Sequence, residues 1–482
     1  MSLTSALNIA QSALFNASRQ TNIVSRNVAE ASNPDYTRRA GVLSSTAPGA
    51  RISEIRRATD DALFKQNLSA LSSWQGQSRI SQGLDRLRLE VNGTDNATSP
   101  ASALGKLQTA LQNYAAAPSN RTLAETAVEA ARGMVRSLNN GTEAVQSFRT
   151  ELDADIATSV GELNELLAQF EAANTEVIRG TRAGRDVSDA LDRRDALLKK
   201  ISGYVPVSTI SRADNDLVVT TADGTTLFET VPRAITFART DAFAPGMTGN
   251  AVYIDGVPLA SGTGGNTTAS GSLAASLQLR DQVAVDMQRQ LDETARGLIT
   301  AFAESDPAGT GADMAGLFTW NGGPGLPASG ALVDGLAGRI GINANVDAAA
   351  GGDPERLRDG IVYDHNPDDA ASFSDLLDSY IAGLDEPMVF DPAASLGTTK
   401  SLNAFTSESI GWLEGLRKEA SGGAQAKEAL AMHTATALSN ATGVNIDEEM
   451  ALLLELERSY EASAKLMSVV DEMLSQLMQV AR

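Results

Sequence analysis

The sequence predicts a mainly α protein with a β-rich insertion: a discontinuous helical coiled-coil rod built from the N- and C-terminal segments, plus a small β domain and an irregular insertion. Three observations predict it. Both ends carry a single apolar stripe in alternating steps of four and three residues. β-type runs are concentrated within 205–260. Aromatic residues are only 5% of a chain that is 42% hydrophobic, which suits helices packed through Ala and Leu.

The N-terminal stripe runs Leu3, Leu7, Ala10, Leu14, Ala17, Thr21, Val24, Val28, and the C-terminal one Leu453, Leu456, Tyr460, Ser463, Met467, Val470, Leu474, Leu477, Ala481. This spacing draws one seam down a helix, as in a coiled coil. Seams at both ends imply that the ends meet each other and the ends of neighbouring copies. Charge supports N-to-C contacts: residues 444–482 carry eight acidic and three basic side chains, whereas residues 1–60 carry seven basic and four acidic.

Residues 1–33 hold no Gly or Pro and form the first unit, a coiled-coil helix about 50 Å long at about 1.5 Å per residue. Asn33-Pro34 ends it, because the residue before proline is pushed out of the helical region. The N-terminal part of the helical rod follows over 34–204. Its Arg-rich start, 37–60, reads as extended or loop, and helices are expected over 61–91, 100–117, 119–179 and 187–203. Asn92-Gly93 and Pro118 supply the breaks.

Character changes at Val205-Pro206. The β-rich unit, 205–265, holds runs at 217–220, 226–228, 234–237 and 252–254, with Asp223-Gly224 and Asp255-Gly256 as hairpin turns. Gly262 to Asn266 lacks the Gly-Lys-Ser/Thr of a phosphate loop and reads as linker. A helical return segment is expected over 266–304, its helix from about 273. An irregular insertion covers 305–368, with one strand at 339–342. The C-terminal part of the rod, 369–440, carries helices at 369–383 and 400–438. The last unit, 441–482, is a coiled-coil helix from 446 to 481, capped by Asn445 or Asp447 with acids in its first turn where the helix dipole favours them.

Composition excludes several kinds of chemistry. Without cysteine there are no disulfides, thiolate metal sites or thiol nucleophiles. Two histidines, His365 and His433, lie far apart, so a catalytic triad or a His-rich zinc site is not expected. His433 reads as a surface or packing residue, and Asp364 to Asp369 around His365 as a solvated helix-capping turn. No catalytic, cofactor-binding or metal-binding residue is assigned. A net charge of −21 argues against binding nucleic acid or an anionic membrane. No segment approaches the roughly 18 apolar residues of a membrane span. The arginines at 38, 39, 51, 56 and 57 therefore read as a protein–protein contact. The first charged residue is Arg19, so no basic, then apolar, signal peptide is apparent.

Specific residues add a resemblance. Asn27-Val28-Ala29-Glu30-Ala31-Ser32-Asn33-Pro34-Asp35-Tyr36-Thr37-Arg38-Arg39 is similar to the N-terminal signature of the bacterial flagellar axial proteins, with Glu30 in place of Asn and Asp35 in place of Gly. Gly443 to Glu449 and Leu454 to Ala464 resemble the C-terminal motif of the member at the junction of hook and filament, and Asp192-Arg193-Arg194-Asp195 and Leu279-Arg280-Asp281 resemble its internal motifs. The resemblance implies a non-enzymatic structural adaptor joining hook to filament by quaternary packing of its terminal helices. It implies a ring of identical copies contacting the hook protein and a second junction protein, and an extracellular place in the flagellum. It also implies export without a cleaved signal peptide, with a dedicated export chaperone on the C-terminal helix before assembly. The expected interface is Leu3, Leu7, Leu14, Val24 and Val28, with Tyr36 and Arg38 just beyond, and Leu453, Leu456, Tyr460, Met467, Val470, Leu474 and Leu477. Alternatives are another axial protein (hook protein or second junction protein), an exported enzyme borne on the insertion, or a cytosolic coiled-coil scaffold.

Overall fold

The computed structural model describes residues 3–46 and 49–480. Its first helix, α1 (Leu3–Ala29), leads through a turn into an antiparallel hairpin, β1 (Arg39–Thr46) and β2 (Gly49–Arg57). Then come α2 (Asp61–Leu87), prolonged by a π turn at Arg88–Asn92, α3 (Pro100–Ala116), α4 (Arg121–Arg182) and α5 (Ser188–Tyr204). Local chemistry sets these ends. Asp60, Ser99 and Asn120 each accept a backbone N–H of the following first turn, and Pro100 opens α3 where its missing N–H is not needed. At the end of the 62-residue α4, Gly184 turns left-handed (φ 62°) and Arg185 N–H closes onto Gly180 at 2.9 Å.

The β-rich segment forms two three-stranded antiparallel sheets. β3 (Val207–Ser211), β4 (Leu217–Thr221) and β5 (Thr226–Phe228) make one. β6 (Ile235–Thr236), β7 (Tyr253–Ile254) and β8 (Val257–Pro258) make the other. The turns at Asp223-Gly224 and Asp255-Gly256 fall at or between paired strands, with Gly224, Asp255 and Gly256 at positive φ. Val219, Leu227, Phe228, Ile235, Val252 and Ile254 bury against the second half of α4 and α5.

Helix resumes with α6 (Ser272–Gln278), a π turn at Leu279–Val283, and α7 (Ala284–Ala301). Gly271 precedes α6 at φ 87°, ψ 147°, a region open essentially to glycine alone, and its N–H donates to Ser72 at 2.8 Å. A Cβ there would fall onto the Tyr204 carbonyl. Gly271→Ala is therefore expected to cost about 1–3 kcal/mol from backbone strain alone, read as a lowered urea midpoint.

The segment expected to be irregular has two short ladders, β9 (Ala303–Glu304) with β10 (Met314–Ala315) and β11 (Phe318–Thr319) with β12 (Gly341–Ile342), and a single helical turn, α8 (Arg356–Asp359). It packs into the main core through Leu317, Phe318, Leu336, Ile340, Val346 and Leu357. One buried carboxylate organises its end. Glu304 accepts the N–H groups of Ile361, Val362 and Tyr363 and the hydroxyl of Tyr380, so no lone pair is stranded.

α9 (Asp375–Gly383) begins later than the expected 369. Asp364 and Asn366 accept Asn366 N–H and Ala370 N–H in successive turns, and Asp369 sits at φ 51°, so the His365 cluster forms turns ahead of the helix rather than its cap. A last ladder, β13 (Met388–Val389) with β14 (Thr399–Lys400), precedes α10 (Leu402–Thr442) and α11 (Ile446–Val480). Asn445 caps α11, its side-chain oxygen accepting Asp447 N–H at 3.0 Å. Ala481, the end of the C-terminal stripe, lies outside the described residues.

Two cores result. The larger joins α3, the first half of α4, α7, α9 and the start of α10. The smaller joins the second half of α4, α5 and the two sheets. α1, the hairpin and α11 stand together as a terminal module beside α5. Among the described residues no helix is long and apolar enough to cross a membrane.

Candidate functional site

The terminal module is joined to the body by a polar clasp, and Asn27 is its centre. Asn27 lies on α1 away from the apolar stripe and is fully buried (0% exposed). Its Nδ2 donates to the Arg39 carbonyl and to Glu449 Oε2, both at 2.9 Å. Its Oδ1 accepts the Tyr36 hydroxyl at 2.8 Å and Arg39 N–H at 3.1 Å. All four hydrogen-bonding positions of the amide are used, which is what allows it to be buried. Glu449, in the first turn of α11 and 1% exposed, also takes Arg38 Nε at 2.6 Å. Arg38 N–H donates to the Thr442 carbonyl at 2.8 Å, tying the motif to the end of α10.

The other half of the clasp reaches α5. Arg39 lies over the Tyr36 ring at 4.7 Å and donates to Asp189 at 2.7 Å and Asp192 at 2.8 Å. Thr37 Oγ1 donates to Asp192 at 2.6 Å, and Arg57 binds Asp192 at 3.0 Å and Asp195 at 2.6 Å. Burial alone would raise the Asp189 carboxyl; hydrogen bonds from Arg39 and Arg26 overcome it and hold the group below its usual value. Burial raises the Tyr36 hydroxyl despite Arg39 nearby. Arg194 turns the opposite way, to Asn174 and the Asn215 carbonyl, and binds α5 to the body.

The two departures from the flagellar signature have roles here. Glu30 accepts from Asn33 Nδ2 at 2.9 Å, closing the turn, and Asp35 pairs with Lys199 at 2.9 Å. The helix consequently ends at Ala29, before Pro34 acts on it.

α1 and α11 run antiparallel, since the end of the first meets the start of the second at Asn27 and Glu449. Of the residues picked from the stripes, Val24, Leu456 and Val470 are buried within this single chain. Leu3, Leu7, Leu14, Val28, Leu453, Met467 and Leu474 are half-buried, and Tyr460 and Leu477 are exposed. Tyr36 is buried and Arg38 half-exposed against Glu449. A different set of apolar side chains faces outward: Ile9 and Phe15 on α1, and Leu454, Leu466, Val469, Met473 and Met478 on α11.

Sequence reasoning did not single out Asn27 or Glu449, and it left the arginine group and the Asp-Arg-Arg-Asp segment unconnected. A signal for the link was present: five arginines over 38–57 and three aspartates over 189–195 are complementary sets of charges. Among the described residues no group of three or more His, Asp or Glu side chains could hold a metal ion.

The chain is similar to known flagellar proteins. Residues 88–318 match the flagellar hook-associated protein FlgK helical domain, and residues 437–480 match the flagellar basal body rod FlgEFG protein C-terminal family. Flagellar hook-associated protein 1 of Bacillus subtilis is 22% identical over 91% of this chain and 86% of its own length. The Escherichia coli protein of that name is 25% identical over 63% of this chain and 56% of its length. The Salmonella typhimurium one is 24% identical over 47% and 43%. The solved structure of the flagellar hook junction protein FlgK from Burkholderia pseudomallei is 17% identical, with a TM-score of 0.42 over 53% of this chain and 47% of that one. The chain is thus a flagellar axial protein, a structural component of the flagellum. Within that class its matches are to flagellar hook-associated protein 1.

Proposed function

We propose that the chain is the adaptor between hook and filament, and that it acts by packing rather than catalysis. Copies stand side by side in a ring, their α1–α11 pairs lining the inner wall. The hook protein meets one rim and the second junction protein the other. The single observation that carries this reading is the row of exposed apolar side chains on α11, from Leu454 through Leu466 and Val469 to Met473. Burying one such side chain contributes about 1.5–3 kcal/mol, and in one copy that free energy is unclaimed.

The same row supports an export chaperone on α11, because a partner must cover it until assembly. Export without cleavage of a signal peptide fits the use made of α1. Asn16, Val24 and Asn27 are buried by the hairpin and α11, so removing the helix would dismantle the terminal module.

The test uses an exposed position. Val470→Asp would break the α1–α11 pair inside each copy, whereas Val469 faces outward. Val469→Asp is expected to leave circular dichroism and the urea midpoint of the purified chain unchanged. It is expected to lower the protein's presence in isolated flagella at least tenfold and to leave hooks without filaments. Incorporation at the unaltered level would refute the packing role.

A further inference from the structure

We propose that neighbouring copies meet head to tail through two unlike surfaces of the terminal module: the basic outer face of the β1–β2 hairpin and adjoining α1 on one copy, and the acidic, apolar outer face of α11 on the next. This rests on the reading that copies assemble side by side, and it adds which surfaces touch and in what polarity.

The hairpin lies along one flank of α1. Ser12 Oγ donates to the Ala50 carbonyl at 2.6 Å, and Asn16 accepts Ile52 N–H at 3.2 Å. Ile52 points inward and is buried, so strand alternation turns Arg51 outward. The register shift opposite Val42/Leu43 absorbs Ser53 and keeps Arg56 on the same outer side. Arg19 and Phe15 on α1 adjoin this surface, the guanidinium 5.6 Å from the ring centroid. Among the described residues neither Arg19 nor Arg51 forms an ion pair, and Arg56 reaches only Glu54 of its own hairpin, at 3.4 Å.

α11 presents the complement. Seven carboxylates between Asp447 and Glu472 are exposed along it against two cations, Arg458 and Lys465, and none of these groups is in an ion pair among the described residues; the eighth acid, Glu449, belongs to the clasp. Leu454, Leu466, Val469 and Met473 lie among them.

α11 covers a different flank of α1, the one with Ala10, Ala17 and Val24 spaced by seven. These stand about a third of a turn round from Ser12, Asn16 and Ile23 at about 100° per residue. The two surfaces of one copy therefore face different ways. A symmetric contact of α11 with α11 would bring like charges together, which is repulsive. Joining unlike surfaces pairs the charges, and a heterologous contact of this kind closes into a ring or continues as a helix.

The chain has no cysteine, which makes cross-linking clean. Ser53→Cys and Ala462→Cys, both at exposed positions, are introduced singly and together, and isolated flagella are treated with a short bis-maleimide. The chain carrying both is expected to give a ladder of multimers. Each single variant is expected to give none with its own kind, and the two co-produced are expected to give dimers only. Arg51→Glu with Arg56→Glu, and separately Glu457→Arg with Glu461→Arg, are expected to cut the ladder at least tenfold, and all four together to restore it. Self-linking of either single variant, linking only to a different protein, or failure of the fourfold variant to restore the ladder would overturn the assignment. If the unaltered chain is itself missing from flagella, the reading of the function falls. If it is present and no ladder forms, only the choice of surfaces falls.

Discussion

Arg280→Met is expected to free the 237–250 segment from the helical body at a cost of about 3–5 kcal/mol, the range for orphaning one half of a buried ion pair. Arg280 and Asp153 are both 0% exposed and hydrogen-bonded to each other. Arg280 also donates to the Asn250 carbonyl at 2.7 Å, and Asp153 accepts Thr240 N–H at 2.6 Å. Arg149, 1% exposed, adds a bond to the Met247 carbonyl at 2.6 Å and lies 4.4 Å from the centre of the Phe243 ring. The loop between β6 and β7 is thus pinned from beneath by two arginines and an aspartate. The π turn at Leu279–Val283 places Arg280, since one extra residue in the turn re-aims its side chain. With Met at 280 the Asp153 carboxylate loses its hydrogen-bonded counter-charge. Hydrogen exchange across 237–250 should then be roughly a hundredfold faster or more, with a lower urea midpoint. Arg280→Met combined with Asp153→Leu should recover part of the loss, because the fully buried carboxylate goes with its partner and only Asp281, a third exposed, is left without Arg280. A single variant as stable as the unaltered protein would mean the pair does not anchor the loop.

Asn27→Ala should be the most damaging single change in the terminal module. It strands the Tyr36 hydroxyl, Arg39 N–H, the Arg39 carbonyl and one oxygen of Glu449 together, and each buried orphan costs about 1–3 kcal/mol. The larger core does not depend on this residue, so the loss should be local. Limited proteolysis should open at 30–38, exchange in α1 and the start of α11 should rise, and the protein should be missing from flagella while far-ultraviolet circular dichroism stays near normal. Asn27→Asp separates size from bonding. It keeps the shape and sets a carboxylate against Glu449, so at neutral pH it should be at least as harmful as alanine. At low pH a proton shared between the two carboxyls restores the bond to Glu449 but leaves the Arg39 carbonyl unpaired, so the module should re-form only in part. If Asn27→Asp matches the original at neutral pH, the clasp is not what holds the ends.

What was legible in the sequence was what neighbouring residues decide. Expected helices at 119–179, 187–203 and 400–438 correspond to Arg121–Arg182, Ser188–Tyr204 and Leu402–Thr442, because caps, glycines and prolines punctuate them locally. The hairpin over 39–57 read only as extended or loop. Its inward side is held by Ser12 and Asn16 of α1, more than thirty residues upstream, and its alternation is broken by the bulge. The clasp was less legible still. Tyr36 and Arg38 were picked from a resemblance, but their partners Asn27 and Glu449 meet across 422 residues of chain, and nothing local announces such a meeting. The acids opening α11 fit the helix dipole as a group, yet one of them, Glu449, has a specific job that the other two do not share.

That separation makes the terminal module a test of completeness. A polypeptide that stops before α11 can still fold the large core from α2 to α10, and it can still shape α1 and the hairpin. It has no Glu449 to offer Asn27 or Arg38, and no helix to lie along Ala17 and Val24. Under the proposed packing role, damaged or unfinished molecules would be disqualified by their own structure, since a contact between the two ends of the chain closes the terminal module.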